Sequence, residues 1–203
     1  MVLAQPSTKL TFEDYLTLTP DQEGRYELVN GILVKMPPPT WRHMLIAKFL
    51  MQYLDTEIVK LGREQEWTTL LEPGQRTHES GARLPDVAVV PWVAIADVLG
   101  SAVLTVPALL VIEIVSNNWR DDYLTKLAEY EELGISEYWI VDYQGLGGSR
   151  YIGTPKHPTL SIYRWVDGEY QVQQFREQDQ LISPTFPDLA LTADQVFKAG
   201  QVN

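Results

Sequence analysis

The sequence predicts an α/β (α+β) fold with a mixed central sheet flanked by helices. Two observations carry this prediction. A β-hairpin signal occupies residues 25–36, and residues 109–142 have the pattern of a buried strand, a polar loop, an amphipathic helix and a second strand. Because hairpins pair antiparallel strands and strand–helix–strand units pair parallel ones, the expected sheet is mixed.

Length and composition are typical of a globular domain. The 203 residues are expected to form one domain, residues 1–203, large enough to bury a core. The absence of cysteine excludes disulfides and thiolate metal sites and fits a reducing cytosol. No apolar run approaches the length of a membrane span, and the amino-terminal segment lacks the apolar centre of a signal peptide. We therefore expect a cytoplasmic protein with no membrane partner.

The formal net charge of −11 argues against one class of partner. Non-specific nucleic-acid binding depends on contacts between phosphates and Lys or Arg side chains, so a tight, non-specific DNA binder is disfavoured. A local basic groove remains compatible with this charge, because net charge does not report how charges are distributed. A cluster of acids that binds divalent cations would also add to the negative count.

The hairpin is the clearest local signal in the chain. Asn30-Gly31 separates two β-rich runs, and this pair is favoured in a two-residue type I′ turn. In that register Glu27 faces Val34 across the hairpin, which places a carboxylate in an apolar neighbourhood. Three consecutive prolines then end the second strand.

Residues 40–60 are predicted to form a long helix that Thr40 caps. His43 falls on the stripe of this helix that faces the core, together with Ala47, Leu50 and Leu54. A histidine in this position is either a satisfied core residue or part of a site, and the spacing leaves both interpretations open.

The remaining elements follow from the same patterns. We expect short helices at residues 11–18 and 192–198, and strands at residues 66–72, 83–90, 149–152, 160–165 and 170–175. A polar loop joins the strands at 66–72 and 83–90, and Asp167-Gly168 forms the turn between the last two strands. In the strand at 83–90, Asp86 follows Pro85 and therefore lies near the beginning.

The central unit places one acid in an aliphatic strand. Glu113 shares a strand face with apolar residues, so its carboxylate must neutralise, pair or bind a cation. In the following helix Lys126 lies one turn after Asp122 and one turn before Tyr130. The ammonium of Lys126 could therefore reach back toward the strand.

Asp86 and Glu113 can meet if their two strands are neighbours. Two acids in a partly buried site repel each other, and a divalent cation removes that conflict. Mg²⁺ binds a few carboxylates, keeps several waters and leaves positions for a substrate phosphate. Lys126 would then lie near the attacking water, where it can stabilise the nucleophile or help to deprotonate it. The alternative interpretation of the same residues is an internal ion pair and one exposed Asp at a strand edge.

The order of these motifs resembles a known family. The matching pieces are TFEDYL, YELVNGILV, His43, LPDVAVVP, VIEIVS, D-x-x-x-K-x-x-x-Y and GISEYWIVD. In this order and spacing the chain is similar to the Uma2 (DUF820) family, which is common in cyanobacteria and belongs to the PD-(D/E)XK restriction-endonuclease-like superfamily. The resemblance runs from residue 11 to about residue 142. It implies a restriction-endonuclease-like core there, with an added amino-terminal hairpin, and with additional strands and a carboxy-terminal helix in residues 149–203.

The resemblance also implies roles for individual residues. Asp86 matches the acid of the PD element and Glu113 the acid of the (D/E)XK element, both as metal ligands, with the Ile114 carbonyl as a further contact. Val115 stands where the superfamily has its lysine, and Lys126 matches the lysine that similar family members supply from the next helix. The three residues implied to line the site are Glu27, His43 and Tyr130.

Three functions are compatible with this sequence. The first is an endonuclease that hydrolyses DNA with Mg²⁺ (or Mn²⁺) and a metal-activated water. The second is a catalytically inactive nuclease-fold module that associates with DNA or with proteins. The third is a metal-dependent hydrolase of a smaller phosphorylated substrate. By analogy with the superfamily, we expect a homodimer.

Overall fold

The computed structural model describes residues 9–17, 24–96 and 98–201. Two mixed β-sheets flanked by helices make up this part of the chain, as the α/β prediction requires. None of the helices in the described ranges is both long and apolar enough to cross a membrane.

Eleven strands and six helices are found in the described ranges. The strands are β1 (Tyr26–Val29), β2 (Ile32–Lys35), β3 (Trp67–Leu71), β4 (Gly74–His78), β5 (Gly81–Arg83), β6 (Val87–Pro91), β7 (Val103–Leu104), β8 (Leu110–Ile114), β9 (Glu137–Asp142), β10 (Thr159–Val166) and β11 (Glu169–Phe175). The helices are α1 (Phe12–Leu16), α2 (Trp41–Lys60), α3 (Trp92–Ala96), α4 (Leu127–Leu133), α5 (Ser149–Ile152) and α6 (Ala193–Lys198), and a π-helical turn, Asp121–Lys126, runs directly into α4.

The larger sheet has six strands in the order β11-β10-β9-β8-β6-β3. Its centre is the predicted strand–helix–strand unit, because β8 and β9 pair in parallel with the π-helical turn and α4 between them. On the other side, β8 pairs antiparallel with β6, and Val87 lies opposite Ile112. This pairing brings the start of β6 next to the end of β8.

The smaller sheet has five strands in the order β2-β1-β5-β4-β7. Its outer hairpin forms in the predicted register, with Glu27 opposite Val34. Asn30 and Gly31 both have positive φ, as a type I′ turn requires. A Cβ on Gly31 would lie only 2.7 Å from Cβ of Lys9, so the turn needs glycine for space as well as for conformation. The hairpin is therefore part of a second sheet, where we expected an addition to the first.

The predicted strand at residues 83–90 is wrong as a continuous element. β5 ends at Arg83 in the smaller sheet, and β6 begins at Val87 in the larger one. Pro85 lies between them, has no N–H to donate to a strand ladder and favours a break there. Asp86 consequently lies just before a strand, in the segment that connects the two sheets.

Two further expectations differ from the structure. Residues 149–152 form the short helix α5, because four residues are too few for periodicity to distinguish helix from strand. The expected polar loop between β3 and β6 contains β4 and β5, whose polar side chains concealed the strand pattern. The helix predicted at residues 11–18 forms with its Thr11–Asp14 capping box, although residue 18 lies outside the described ranges.

Two apolar layers cover the larger sheet. On one face, Leu110, Ile112 and Ile114 of β8 pack with α2, α6 and the carboxy-terminal segment. On the other face, Val111 and Val115 pack with Tyr123 and Tyr130 of the π-helical turn and α4. Glu113 lies between Val111 and Val115 on this second face, so the helix that carries Lys126 covers it.

Glu137 joins β9 to the carboxy-terminal segment. Its buried carboxylate accepts hydrogen bonds from Nε1 of Trp139 at 2.6 Å, from the Ser183 hydroxyl at 3.0 Å and from the Thr185 backbone N–H at 3.0 Å. Burial raises the pKa of Glu137, although these three donors oppose the shift. All three partners are donors, so the site requires an acceptor.

Glu137→Gln is expected to destabilise the fold by about 1–3 kcal/mol, because the amide NH₂ would face a donor at a buried position. Urea unfolding measures this change. The control is Glu169→Gln on β11, where the side chain is exposed and the same substitution should have almost no effect. Equal stability of the Glu137 and Glu169 variants would contradict the assigned role of Glu137.

Candidate functional site

A cavity of about 600 Å³ opens where the two sheets meet. The hairpin, the amino-terminal end of α2, the segment before β6, the end of β8 and the π-helical turn all contribute to its wall. Six of the lining residues are chemically informative, namely Glu27, His43, Asp86, Glu113, Asp122 and Lys126.

Asp86 is held in place by one contact at each oxygen. Its Oδ2 accepts a hydrogen bond from the Ile114 backbone N–H at 2.6 Å. Its Oδ1 lies 2.8 Å from Nε2 of His43, in the first turn of α2. The side chains of Asp86 and His43 are each 15% exposed, so the pair lies at the accessible part of the cavity. His43 is therefore part of the cavity wall.

Glu113 lies deeper and is paired with both predicted helix residues. Its Oε2 is 2.9 Å from Nζ of Lys126, and its Oε1 accepts a hydrogen bond from the Tyr130 hydroxyl at 2.8 Å. Glu113, Lys126 and Tyr130 are all buried. Tyr130 is not among the residues that line the cavity; it supports Glu113 through this hydrogen bond.

Glu27 connects Lys126 to a second buried cation. Its Oε1 lies 3.5 Å from Nζ of Lys126 and accepts a hydrogen bond from the Leu84 backbone N–H. Its Oε2 accepts a hydrogen bond from Nη1 of Arg83 at 3.0 Å. Arg83 is 1% exposed and also forms a bidentate pair with Glu129 of α4, with both contacts at 2.7 Å. The smaller sheet is thereby tied to α4 through ionic contacts.

Asp122 is one of five carboxylates that line the cavity and is only 7% exposed. Its Oδ1 lies 3.6 Å from Nζ of Lys126, one turn later in the helix. Its backbone carbonyl accepts a hydrogen bond from the Tyr138 hydroxyl, which fixes the position of this residue. Asp122 and Lys126 are four residues apart in the π-helical turn and therefore lie about one turn apart on the same side of it.

The charge of Lys126 is set by its neighbours. Burial lowers the pKa of the ammonium, but Glu113, Glu27, Asp122 and Asp86 together raise the pKa well above the usual lysine value. Three of these carboxylates lie within 3.6 Å of Nζ. Lys126 is therefore a permanent cation at neutral pH.

The carboxylates differ in the number of cations that lie beside them. Burial raises the pKa of Glu27, but Lys126 and Arg83 together lower it below its usual range. Burial raises the pKa of Glu113 well above its usual range and the pKa of Asp122 to about 7. Lys126 opposes both shifts, whereas neighbouring carboxylates add to them. Glu27 has two buried cations beside it, and Glu113 and Asp122 share one.

The structure thus brings five of the sequence-derived site residues together: Glu27, His43, Asp86, Glu113 and Lys126. Ile114 also lines the cavity, and its N–H contacts Asp86. Sequence reasoning assigned no site role to two residues of the cavity wall, Asp122 and Arg83. Asp122 had a usable signal, its i, i+4 spacing to Lys126. Arg83 had none, because an arginine before a Leu-Pro pair gives no indication of burial.

Asp86 and Glu113 are the two carboxylates of the cavity that could hold a hard divalent cation. Each of their four oxygens accepts one contact in the described structure, and a carboxylate oxygen has two lone pairs. Within residues 9–17, 24–96 and 98–201, no group of three or more His, Cys, Asp or Glu side chains is placed to hold a metal ion. Two carboxylates with water in the remaining positions match Mg²⁺, which keeps several of its waters in proteins.

Asp122→Asn is expected to change how stability depends on pH. Because the folded-state pKa of Asp122 is raised to about 7, its stabilising contribution is complete below about pH 4 and is lost as pH rises through about 7. The variant should therefore match the unmutated protein at pH 4 and exceed it by about 2–4 kcal/mol at pH 8.

Urea unfolding in EDTA from pH 4 to pH 8 measures this difference. The control is Asp188→Asn, at an exposed position, for which we expect a constant difference over the same range. A pH-independent difference for Asp122→Asn would contradict the raised pKa.

Comparison with known proteins agrees with the fold. Residues 12–194 match the Uma2 family, which is described as "Putative restriction endonuclease". The chain is also similar to a solved structure from Anabaena variabilis, described as a putative nuclease belonging to DUF820. The TM-score is 0.72 at 19% identity, with 95% of this chain and 99% of that chain covered. No significant match is found among curated proteins. The family match covers most of the sequence, and the chain belongs to the Uma2 family.

Proposed function

We propose that the protein is a divalent-metal-dependent endonuclease that hydrolyses DNA phosphodiester bonds. The observation that carries this proposal is the meeting of Asp86, Glu113 and Lys126 in one cavity, although they come from three separate segments of the chain. The family description as a restriction endonuclease supports the same reaction class.

Asp86 and Glu113 would hold Mg²⁺ or Mn²⁺, with the Ile114 carbonyl as a further ligand. When bound, the ion supplies Lewis-acid stabilisation of the phosphate and lowers the pKa of a water. The N–H of Ile114 and the ring of His43 orient the Asp86 carboxylate, and the Tyr130 hydroxyl orients that of Glu113. Such supporting contacts fix ligand geometry.

Lys126 would act as a fixed cation beside the scissile phosphate. Its ammonium is held between Glu27 and Glu113, so its position depends little on side-chain flexibility. Because charge builds up on the phosphate oxygens during hydrolysis, a pre-positioned cation in a desolvated site stabilises the transition state. This role replaces that of the superfamily lysine, whose place Val115 occupies.

The substrate must reach acids that lie in a recess of an acidic protein. Arg25 and Lys35 of the hairpin region and the loop residues Asn117 and Asn118 line the same cavity as the acids. These side chains can donate hydrogen bonds to phosphate oxygens near the site. Arg25 also pairs with Glu72, so Lys35 and the two asparagines are the donors that would oppose the net charge of −11 near the site.

Asp86→Asn and Glu113→Gln should each weaken Mg²⁺ or Mn²⁺ binding about 10–100-fold, because each removes one charged ligand. Isothermal titration with Mn²⁺ measures this change. The control is Asp188→Asn, which should bind like the unmutated protein. If either site variant keeps the full affinity, that carboxylate is not a ligand.

Lys126→Ala should abolish metal-dependent cleavage of supercoiled and single-stranded DNA while it leaves metal affinity largely unchanged. Lys126→Arg should also fail, because a planar guanidinium does not fit the position of a compact ammonium. The Arg variant retains the buried charge, so it separates loss of activity from loss of folding, which circular dichroism monitors. The control is Lys48→Ala on the exposed face of α2, where only a weak, salt-sensitive loss is expected.

Two results would contradict the proposal in different ways. Full activity of Lys126→Ala would exclude Lys126 from the mechanism. If the unmutated protein cleaves none of the varied DNA substrates in Mg²⁺ or Mn²⁺, the nuclease proposal fails and the non-catalytic nuclease-fold module becomes the better description.

A further inference from the structure

Hydrolysis needs a group that accepts the proton of the attacking water, and Lys126 is not available for this task. Its Nζ lies 2.9 Å from Glu113, 3.5 Å from Glu27 and 3.6 Å from Asp122. A neutral amine in this position would leave several buried carboxylates without their shared cation, at a large cost in free energy. The proton acceptor must therefore be another group in the cavity.

Five carboxylates line the cavity, and four of them already contact donors. Asp121 accepts a hydrogen bond from Nη1 of Arg83 at 3.4 Å. Glu27 accepts hydrogen bonds from Arg83 and from the Leu84 N–H. Asp86 contacts His43 and accepts a hydrogen bond from the Ile114 N–H. The fourth, Glu113, accepts a hydrogen bond from Tyr130 and contacts Lys126 at 2.9 Å, as described above. Accepting a further proton at any of them would disturb contacts that hold the site together.

The side chain of Asp122 is different. Among the described residues, no backbone or side-chain donor hydrogen-bonds its carboxylate, and Lys126 approaches only to 3.6 Å. Its backbone is nevertheless fixed, by the π-helical turn and by the Tyr138 hydroxyl on its carbonyl. The result is a buried carboxylate with free lone pairs in the cavity wall, beside the cation that would contact the phosphate.

We propose that Asp122 is the catalytic general base of the proposed nuclease reaction, and this inference rests on that proposed function. The oxygen of the attacking water forms the new bond to phosphorus, and the proton it loses moves to a carboxylate oxygen of Asp122. The bond from phosphorus to the leaving oxygen breaks, and a solvent water protonates that oxygen. Asp122 then releases its proton to solvent, which completes the cycle.

The electrostatic surroundings of Asp122 support this role. Burial raises its pKa to about 7, Lys126 opposes the shift, and Asp86, Asp121 and Glu27 add to it. The charge of Glu113 is linked to that of Asp122 through the same cation. A carboxylate with a pKa near the working pH is partly ionised there and is basic enough to accept a proton.

Asp122→Asn should lower kcat for DNA cleavage about 10²–10⁴-fold with little change in KM, because a general base acts in the transition state. Metal affinity, measured by Mn²⁺ titration, should stay within about 3-fold of the unmutated value, since Asp122 is not assigned as a ligand. The matched control is Asp121→Asn on the adjacent residue, whose carboxylate lies 3.4 Å from Arg83 and whose substitution should change kcat less than about 10-fold.

A chemical-rescue experiment separates a base from a structural residue. Asp122→Ala opens space for a small carboxylate. Added formate should raise the cleavage rate of this variant at least about 10-fold, because it can occupy the place of the missing base. Formate should have no such effect on Lys126→Ala or on the unmutated protein. A merely structural role for Asp122 predicts no rescue in any variant.

The outcomes distinguish this inference from the function on which it rests. An unmutated protein that is inactive with every DNA substrate overturns both. An active unmutated protein with an equally active Asp122→Asn variant overturns only the assignment of the base. Loss of metal affinity in Asp122→Asn, or failure of formate to rescue Asp122→Ala, also overturns it, because Asp122 would then be a ligand or a structural residue.

Discussion

The structure depends on one buried ammonium. Nζ of Lys126 lies within 3.6 Å of carboxylates from three elements: Glu27 of β1, Glu113 of β8 and Asp122 of the π-helical turn. None of these acids could stay ionised at this depth without a cation, because removing a charge from water costs several kcal/mol. A single side chain therefore joins the smaller sheet, the larger sheet and the helix between β8 and β9. The same constraint keeps the site acids close together.

A second buried cation divides the acids into two groups. Arg83 gives Glu27 an additional partner and also pairs with Glu129, and Lys126 and Arg83 together lower the pKa of Glu27. Glu113 and Asp122 have only Lys126, and burial raises the pKa of both. The cations are therefore distributed unequally, and the two acids that share a single cation are the ones whose pKa is raised. Perturbed acids of this kind are a common property of active sites.

The π-helical turn that follows β8 places Asp122 and Lys126 in the wall of the same cavity. Asp122 and Lys126 lie in a six-residue π-helical turn, and π-helical segments inside helices are frequent at functional sites. The turn presents both side chains to the cavity, while Tyr123 packs in the core behind it. One carboxylate oxygen of Glu113 contacts Lys126 of this turn, and the other accepts a hydrogen bond from Tyr130 of α4. Glu113 of β8 is consequently held in place by the π-helical turn and α4, which cover it.

The sequence by itself determined most of the local elements and identified five of the residues that line the cavity. Asn30-Gly31 defined the hairpin and the register of Glu27, and the spacing of Asp122 and Lys126 defined one helix face. These features depend on neighbours in the chain and on the periods of strand and helix. Only the tertiary structure decided the placement of β5 and β6 in different sheets and the burial of Arg83. It also decided which acid received hydrogen-bond donors and which did not, because each of those contacts joins segments far apart in sequence whose approach is set by packing of the two sheets.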